Sequence, residues 1–410
     1  MISSPKSAYV WFWLPERKEP VLAGRVDQEG AVLAFTYSAR YLERRDAIAI
    51  FSELPLERGE QFPRSEIHGC IADAGPDSWG QRVILNRRLG SGAHDTTELT
   101  RLDYLVSAGS DRIGALDFQA VPGEYKRREA EPVSLKSLME SAEMVESGVP
   151  IPPTLEDALL RGSSIGGARP KALLDDGKRK LIAKFGSTTD SYPVVQGEYV
   201  ATRLAALCGL ETEKVEIERV MGKNVLLIER FDRTEGGSRR AMVSALTILG
   251  LSGVEARYAS YAELGHLVRS QFTNPGSTLR ELFSRITFNI LVSNLDDHAR
   301  NQSAFWDGEQ LSLTPFYDVC PSPRNTGETR QVMAIGDDGW RYSQLAGCVD
   351  RSGTYQLNET EAREIIDHQV ETIKARWTEV CDEAGLTRVQ RESFWKKQFL
   401  NPFAFETSRS

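Results

Sequence analysis

The sequence is poor in residues that form cross-links or bind structural metals. Its 410 residues include five cysteines, which are scattered and form no CxxC pair, and five histidines without the spacing of metal ligands. An odd number of scattered cysteines argues against a disulfide framework, and the lack of paired ligands argues against a structural zinc site. The fold must therefore depend on its own packed core.

Long apolar runs and an excess of positive charge are absent as well. No stretch approaches the roughly 18 uncharged apolar residues of a membrane span, and the apolar patch around Trp11 is interrupted by Pro15 and by charges, unlike a secretion signal. Lysine and arginine total 50 against 58 acidic residues, a net charge of −8. We expect a cytoplasmic globular protein without a general affinity for nucleic acid, although local basic clusters remain possible.

Residue patterns predict three successive regions. Residues 1–125 are strand-rich, with a hairpin at 20–37, and they end in a polar, proline-bearing segment. Residues 126–237 mix strands and helices, and the RTEGGSRR stretch at 233–240 resembles a linker. Residues 238–410 are mostly helical. We therefore predict an α+β fold of three regions.

Local motifs place several elements within the last two regions. Two apolar runs flank an Asp-Asp-Gly-Lys turn at 175–178, which is typical of a hairpin, and a second hairpin turns at Met221-Gly222. A helix at 194–208 is ended by Gly209. Near the C-terminus, Asn358 followed three residues later by Glu361 indicates a capped helix start.

The segment NLDDHARN, residues 294–301, carries the spacing of a kinase catalytic loop. Protein kinases place a catalytic aspartate five residues before a magnesium-binding asparagine, and a second magnesium-binding aspartate follows a short hairpin. Here Asp296 precedes Asn301 by five, residues 302–314 predict two strands around Asp307-Gly308, and Asp318 follows. The spacing therefore predicts Asp296 as the base, with Asn301 and Asp318 as Mg²⁺ ligands.

Upstream features follow in kinase order. Lys184 lies in a predicted strand from which it can reach phosphates, and Glu198 lies in the next helix, as the ion-pair partner of that lysine would. The Gly-rich loop at 162–171, with exposed amides, suits phosphates. The strand ending in Glu229-Arg230-Phe231 offers its backbone to adenine. The expected nucleotide contacts are Ser164, Gly166, Gly167, Ala168, Lys171, Lys184, Glu229, Arg230, Phe231, His298, Asn301 and Asp318.

Each feature has an ordinary structural explanation when it is taken alone. Asp296-Asp297 is typical of a turn or helix cap, Lys184 of an edge strand, and Glu198 of a solvated helix surface. The GSSIGG stretch is typical of a linker, and His298 of a structural hydrogen-bonding residue. The kinase hypothesis rests on the order of these features along the chain. Two interpretations of Asp297 remain open: it supports the site or adds a metal ligand, or it is a solvated turn residue.

Together these segments resemble the HipA family of bacterial serine/threonine kinases. The resemblance is carried by GSSIGGARPKALL, LIAKF, LLIERFDR, NLDDHARN and FYDV, and upstream by LPLERG, GPDSWGQRVI and DYLVSAGSDRIGALDF. It implies a two-lobed protein-kinase-like fold, of the PI3/4-kinase-like type, with a β-rich N-terminal subdomain and a mostly α-helical C-terminal lobe. The implied cofactors are ATP and Mg²⁺.

The resemblance also implies roles for individual residues and partners. Ser164, or its neighbour Ser163, matches a serine whose autophosphorylation inactivates the kinase. Lys171 approaches phosphate, and Glu229 and Phe231 flank adenine. The implied role is the toxin of a toxin–antitoxin pair, bound by a HipB-like helix-turn-helix antitoxin on operator DNA. The implied protein substrate is an aminoacyl-tRNA synthetase, glutamyl-type above all, whose phosphorylation halts translation and produces growth arrest and persistence.

Two other functions compete with this hypothesis. A kinase of the same fold that acts on a small molecule would use the same Asp-x4-Asn arrangement, but it has no evident use for the long N-terminal region. A catalytically silent co-repressor subunit would be favoured by loss of Asp296, Asn301 or Asp318, and all three are present. Basic clusters such as Arg87-Arg88, Lys126-Arg127-Arg128 and Arg239-Arg240 are available for DNA contact, but solvated surface is the simpler explanation.

Overall fold

A computed structural model describes residues 5–90, 99–128, 133–187, 189–323 and 328–407. In chain order, its strands and helices are β1 Ser7–Phe12, β2 Val21–Glu29, β3 Val32–Tyr37, α1 Ala39–Leu42, β4 Glu60–Gln61, α2 Gly69–Ala72, α3 Ser78–Gly90, α4 Arg101–Ser107, β5 Leu116–Gln119, α5 Leu135–Glu146, α6 Pro153–Arg161, β6 Lys171–Asp175, β7 Lys180–Phe185 and α7 Val194–Leu207. They continue with β8 Val215–Val220, β9 Lys223–Glu229, β10 Met242–Ser244, α8 Ala245–Ile248, α9 Tyr261–Gln271, α10 Pro275–Leu291, β11 Ser303–Trp306, β12 Leu311–Leu313, α11 Leu345–Asp350, α12 Glu359–Glu383 and α13 Arg388–Phe394. Short 3-10 helices occur at Glu255–Tyr258, Ser352–Tyr355 and Pro402–Phe405.

The chain forms two compact units, and each is built from several chain segments. Unit 1 comprises residues 1–189, 218–243 and 305–309. Unit 2 comprises the remaining segments, 190–217, 244–304 and 310–410. The chain therefore passes repeatedly from one unit to the other, and the bounds of the three sequence-predicted regions stay a prediction.

Unit 1 begins with an antiparallel sheet in the order β4-β3-β2-β1-β5. The predicted hairpin at 20–37 is present, but its turn is Gly30-Ala31, because Glu29 still pairs with Val32. Gly30 has a φ of +61°, a conformation that glycine adopts at little cost. Asp27, Gln28 and Glu29, although polar, belong to strand β2.

The second sheet has the order β6-β7-β9-β8, so that both predicted hairpins are confirmed. One core of unit 1 packs between this sheet and α3, α5 and α6. Its fully buried residues include Trp79, Leu159, Ala172, Ala183 and Val225. Burial of such side chains is worth about 1.5–3 kcal/mol for each large apolar group.

Unit 2 is mostly helical, as the sequence predicts. The stripe Leu282, Ile286 and Ile290 of α10 is buried, and α12 starts with the predicted capping box of Asn358 and Glu361. Three short strands form a further sheet in the order β10-β11-β12. Within the described part of the chain, no helix is both long enough and apolar enough to cross a membrane.

Candidate active site

The Gly-rich loop joins α6 to β6 in unit 1, and its two serines are buried. Ser163 is 0% exposed and Ser164 is 1% exposed. The Ser163 hydroxyl donates to the carbonyl oxygen of Leu160 at 2.7 Å, and the Ser164 hydroxyl lies 3.4 Å from a guanidinium nitrogen of Arg112. Gly166 and Ala168, in contrast, are exposed.

The segment that precedes and starts α3 holds this loop. The backbone N–H of Gly167 donates to a carboxylate oxygen of Asp77 at 2.7 Å, and the N–H of Trp79 donates to the Gly167 carbonyl at 3.3 Å. The Trp79 indole donates to the carbonyl oxygen of Lys171 at 2.9 Å. The expectation of open loop amides therefore needs correction, because a carboxylate already binds the amide of Gly167.

Two lysines expected to bind phosphate are cross-strand partners. Lys171 on β6 pairs directly with Lys184 on β7. Directly opposed residues have Cβ atoms about 4.5–5.5 Å apart, and like charges at that separation repel. Lys171 is buried, its ammonium group donates to the carbonyl of Gly166 beneath the loop, and Lys184 is half-buried. Both lysine side chains therefore leave the same face of the sheet, at the strand that follows the Gly-rich loop and at its neighbour.

The end of β9 gives its three residues different roles. Glu229 and Phe231 are half-buried, whereas Arg230 is buried. The Arg230 guanidinium donates to Asp232 at 2.7 and 2.9 Å and to Asp111 at 3.1 Å. The Arg230 side chain is thus committed to a buried ion-pair network of unit 1, and a nucleotide contact of this residue stays a prediction for its backbone.

In unit 2, the residues predicted to form the catalytic loop follow the end of α10. Asp296 is exposed, and its carbonyl oxygen accepts from the His298 N–H at 2.8 Å and from the Asn301 side-chain amide at 3.3 Å. Asn301 is 7% exposed and His298 is half-buried. One tight turn thus contains Asp296, His298 and Asn301 and leaves the Asp296 carboxylate facing outward.

The neighbouring Asp297 is fully buried, so that it is neither a solvated turn residue nor an accessible metal ligand. Its carboxylate accepts hydrogen bonds from Asn289 at 2.6 Å, from Gln302 at 3.0 and 3.1 Å, and from the Tyr261 hydroxyl. Burial raises the pKa of Asp297 to about 6. The sequence left two possibilities for Asp297. The structure excludes a solvated turn residue and leaves a residue that supports the loop.

Asp318 follows the predicted β11–β12 hairpin and is tied to the same loop. Its backbone has a φ of +57°, a left-handed conformation that is uncommon outside glycine and is enriched at functional sites. The preceding Tyr317 donates to the carbonyl oxygen of Arg300 at 2.6 Å and contacts the Ser303 hydroxyl at 2.7 Å. Tyr317 therefore joins the Asp318 segment to the segment of Asn301.

These residues fit a magnesium ion held together with a nucleotide. Asn301 and Asp318 present oxygen atoms, and the Asn301 amide nitrogen is already engaged by the Asp296 carbonyl, which leaves its side-chain oxygen for a ligand. Within the described ranges, no cluster of three or more His, Cys, Asp or Glu residues is arranged to hold a metal. Mg²⁺ commonly takes only one or two protein ligands and fills its shell with phosphates and water.

Glu198 lies in α7 of unit 2 and is 3% exposed, so it is not the solvated helix residue of the alternative explanation. Several supporting residues escaped the sequence analysis: Asp77, Tyr261, Asn289, Gln302 and Tyr317. A usable indication existed for Asn289, which interrupts the apolar run FNILV and is fully buried. A polar side chain in such a run needs a buried partner.

Mixed sheets, a mostly helical second half and this loop geometry define a two-lobed kinase-like enzyme. Comparison with protein families agrees: the HipA N-terminal domain matches residues 18–119, and the HipA-like C-terminal domain matches residues 163–377. The chain belongs to the HipA family, and it is a serine/threonine kinase of the HipA type that uses ATP.

Individual relatives support this family assignment. A putative kinase, Y4mE, of Sinorhizobium fredii is 27% identical over 362 residues, which cover 78% of this chain and 82% of the relative. The serine/threonine-protein kinase toxin HipA of Shewanella oneidensis is 25% identical over 282 residues, 58% of this chain and 64% of that protein. A solved complex of Shewanella oneidensis HipA, HipB and operator DNA contains a chain with the same fold, at a TM-score of 0.69 and 19% identity, covering 91% of this chain and 94% of that chain.

Proposed function

We propose that this kinase is the toxin of a toxin–antitoxin pair and that it transfers the γ-phosphoryl group of ATP to a serine or threonine of a protein. The outward-facing Asp296 in a loop braced by buried polar groups carries this proposal. In the reaction, the substrate oxygen bonds to the γ-phosphorus as the bond to ADP breaks, and Asp296 accepts the hydroxyl proton. Phosphoryl transfer depends mainly on such positioning and on charge stabilisation.

The Lys171–Lys184 pair supports a site for the ATP phosphates. Two lysines on one face of the sheet attract a polyanion more strongly than one does. The exposed Gly166 and Ala168 leave part of the loop backbone available as well. Asn301 and Asp318 would hold Mg²⁺, which supplies positive charge to the phosphates when bound. Glu229 and Phe231 remain the proposed residues beside the adenine, and Glu198 remains the proposed partner of Lys184.

We also propose that autophosphorylation of Ser164, with Ser163 as the alternative, switches the enzyme off. Both hydroxyls are buried, so the loop must leave its present position before either can meet ATP. A phosphate adds about −1.5 to −2 charges. Placed beside the proposed phosphate site, that charge repels ATP, and its size prevents the loop from returning.

The proposed partners follow from the family. Because the Shewanella protein was solved with HipB and operator DNA, we propose that a HipB-like helix-turn-helix antitoxin binds this chain and carries it to operator DNA. The proposed substrate is an aminoacyl-tRNA synthetase, glutamyl-type first, in the cytoplasm. Phosphorylation of that enzyme would stop translation and arrest growth.

Mass spectrometry after incubation with Mg²⁺-ATP tests the proposal. Wild-type protein is compared with Asp296→Asn and with Asp307→Asn, a matched control in the exposed β11–β12 turn. Loss of a general base costs about 10²–10⁴-fold in rate. We expect one phosphate on the peptide that contains residues 161–171 in the wild type and in Asp307→Asn, and none in Asp296→Asn. Purified glutamyl-tRNA synthetase, added as a probe, should gain a phosphate under the same conditions.

The outcomes separate the alternatives. Phosphate on both the loop and the synthetase supports the full proposal. Self-phosphorylation with an unmodified synthetase retains the kinase and removes the proposed target. ATP turnover without protein phosphorylation favours a small-molecule kinase, and normal activity of Asp296→Asn removes Asp296 from the role of base.

A further inference from the structure

Two adjacent aspartates of unit 2 occupy opposite environments. Asp296 is exposed, whereas the side chain of Asp297 has no exposed surface. Burying a carboxylate is costly unless hydrogen bonds replace its water. Asp297 must therefore make interactions that an apolar residue in the same place could not make.

Three uncharged side chains surround the Asp297 carboxylate. Its Oδ2 accepts from Asn289 at 2.6 Å, from Gln302 at 3.0 Å and from the Tyr261 hydroxyl, and its Oδ1 accepts from Gln302 at 3.1 Å. No ion pair to Asp297 occurs within the described ranges of the chain. These donors come from α9, from α10 and from the residue just before β11.

The donors are themselves fixed from outside the cluster. Asn289 accepts from the Asn294 side chain at 2.9 Å, and Asn294 lies just before the catalytic aspartate. Gln302 accepts from the Arg285 guanidinium at 3.3 Å, and Arg285 also donates to the carbonyl oxygen of Thr314 at 2.8 Å. The hydrogen-bond network around Asp297 thus includes both Asn294 and Gln302, the two ends of residues 294–302.

We propose that Asp297 is a positioning residue of the kinase reaction. It holds residues 294–302 in the arrangement that turns Asp296 outward and keeps Asn301 bonded to the Asp296 backbone. The inference rests on the proposed role of Asp296 as the base. It requires a carboxylate, because both Asp297 oxygens accept from the Gln302 amide nitrogen, and an amide at position 297 would replace one of these acceptors with a donor.

The donor pattern predicts why the isosteric amide fails. In Asp297→Asn, an amide oxygen at the Oδ2 position can still accept from Tyr261, Asn289 and Gln302, but the amide nitrogen at the Oδ1 position then faces the Gln302 nitrogen. Rotating the Gln302 amide does not help, because its nitrogen would then face the Arg285 guanidinium. Either choice leaves two buried donors opposed, which disfavours the present arrangement of the loop.

A second substitution restores the hydrogen bond between positions 297 and 302 with donor and acceptor exchanged. When Asp297→Asn is combined with Gln302→Glu, the carboxylate introduced at position 302 accepts from the amide introduced at position 297 and from Arg285. Every donor regains an acceptor, and the negative charge moves one side chain away while remaining beside Arg285. Gln302→Glu alone places two carboxylates together and should be impaired as well.

Initial autophosphorylation rates with Mg²⁺-ATP provide the test. A small displacement of a catalytic group can cost about 10²-fold, so we expect that loss in Asp297→Asn, and we expect the half-saturating ATP concentration to stay within about threefold because ground-state binding is retained. The double variant should recover most of the rate. Asp307→Asn serves as the unaffected control. A wild-type rate in Asp297→Asn, or no recovery in the double variant, overturns the inference.

Amide hydrogen exchange of residues 294–302 separates this inference from the proposed function. We expect faster exchange in Asp297→Asn and wild-type exchange in the double variant. A wild-type protein without any autophosphorylation contradicts the proposed function alone, and the exchange pattern still decides whether Asp297 fixes the loop. Unchanged exchange in Asp297→Asn contradicts the inference.

Discussion

At the residue scale, unit 1 buries an unusually rich set of charges. Asp111 and Asp232 each bond to both Arg230 and Arg233, and all four side chains are less than 10% exposed. Burial alone raises the pKa of Asp232, but attraction to Arg230 and Arg233 outweighs it and lowers that pKa to about 2. The segment predicted as a linker at 233–240 is therefore an anchored turn.

The basic cluster Arg239-Arg240, predicted as solvated surface, is corrected in the same way. Arg239 is 5% exposed, and its guanidinium lies 3.5 Å from the centre of the Trp13 ring. Burial, and then repulsion from Arg233, lowers the pKa of Arg239 to about 9. Arg240 is exposed, but its guanidinium stacks on Phe305 at 3.2 Å. Neither residue is a simple solvated charge.

Replacement of Asp232 tests how much this buried ion-pair network contributes to the free energy of unfolding. We expect Asp232→Asn to lower the free energy of unfolding by about 3–5 kcal/mol, because two arginines lose a buried partner. Urea denaturation at neutral pH measures the change. The control is Glu392→Gln in the exposed Arg388–Glu392 pair, where a change within about 0.5 kcal/mol is expected.

The same comparison has a defined pH dependence. The pKa of Asp232 falls from an ordinary 3.8 to about 2 on folding. Its stabilising contribution is therefore complete above the ordinary pKa and is lost as the pH falls from about 4 to about 2. The difference between wild type and Asp232→Asn should shrink in that window, and a difference that stays constant would contradict the assignment.

At the element scale, the fit of α3 against the Gly-rich loop depends on Gly80. A Cβ at Gly80 would overlap the Ser163 carbonyl oxygen and lie 2.6 Å from the Ser163 carbonyl carbon. The loop backbone can approach α3 only because Gly80 has no side chain. The motif GPDSWG thus matters for its glycine as much as for Asp77 and Trp79.

Two helical glycines should respond to alanine in opposite directions. Gly80→Ala should destabilise the protein by about 1–3 kcal/mol, because backbone must shift. Gly276→Ala in the first turn of α10, where a Cβ meets nothing within 4 Å, should stabilise it by up to about 1 kcal/mol through helix propensity. Thermal unfolding of both variants shows whether each substitution raises or lowers stability. A stabilising Gly80→Ala would contradict the close contact between Gly80 and the Ser163 backbone.

Elements defined by short-range chemistry were predictable from the sequence. The turns at Gly177 and Gly222 have positive φ values, and the Asn358–Glu361 capping box forms as expected. The turn that joins Asp296 to Asn301 is local as well, and its catalytic role stays a prediction. The surroundings of Asp297 and Arg230 were not, since their partners are far apart in sequence: Tyr261 lies 36 residues from Asp297, and Asp111 lies 119 residues from Arg230.

At the scale of the whole molecule, the discontinuous units limit how the chain can be divided. The strand β9, from residues 223–229, is a central strand of the second sheet of unit 1 and pairs with β7. The arginines that bind Asp111 come from the same late segment. A cut at the first boundary, after residue 189, therefore removes part of the core of unit 1.

Two fragments test this dependence. Residues 1–189 should aggregate or remain incompletely folded, because β7 presents an unpaired edge and Asp111 is buried without its partners. Residues 1–243 regain β9, Arg230 and Arg233 and should be markedly more soluble. Size-exclusion chromatography and circular dichroism compare the two. A monomeric, cooperatively unfolding 1–189 fragment would show that β9 is dispensable.

The last segment of unit 1 sets the order of events during synthesis. In that segment, the Trp306 indole donates to the carbonyl oxygen of Ala49 at 2.8 Å, across 257 residues of sequence. A ribosome must therefore translate about three quarters of the message before this last hydrogen bond of unit 1 can form. The early strands of unit 1 therefore leave the ribosome long before their last partner, and chaperones can bind them during that interval.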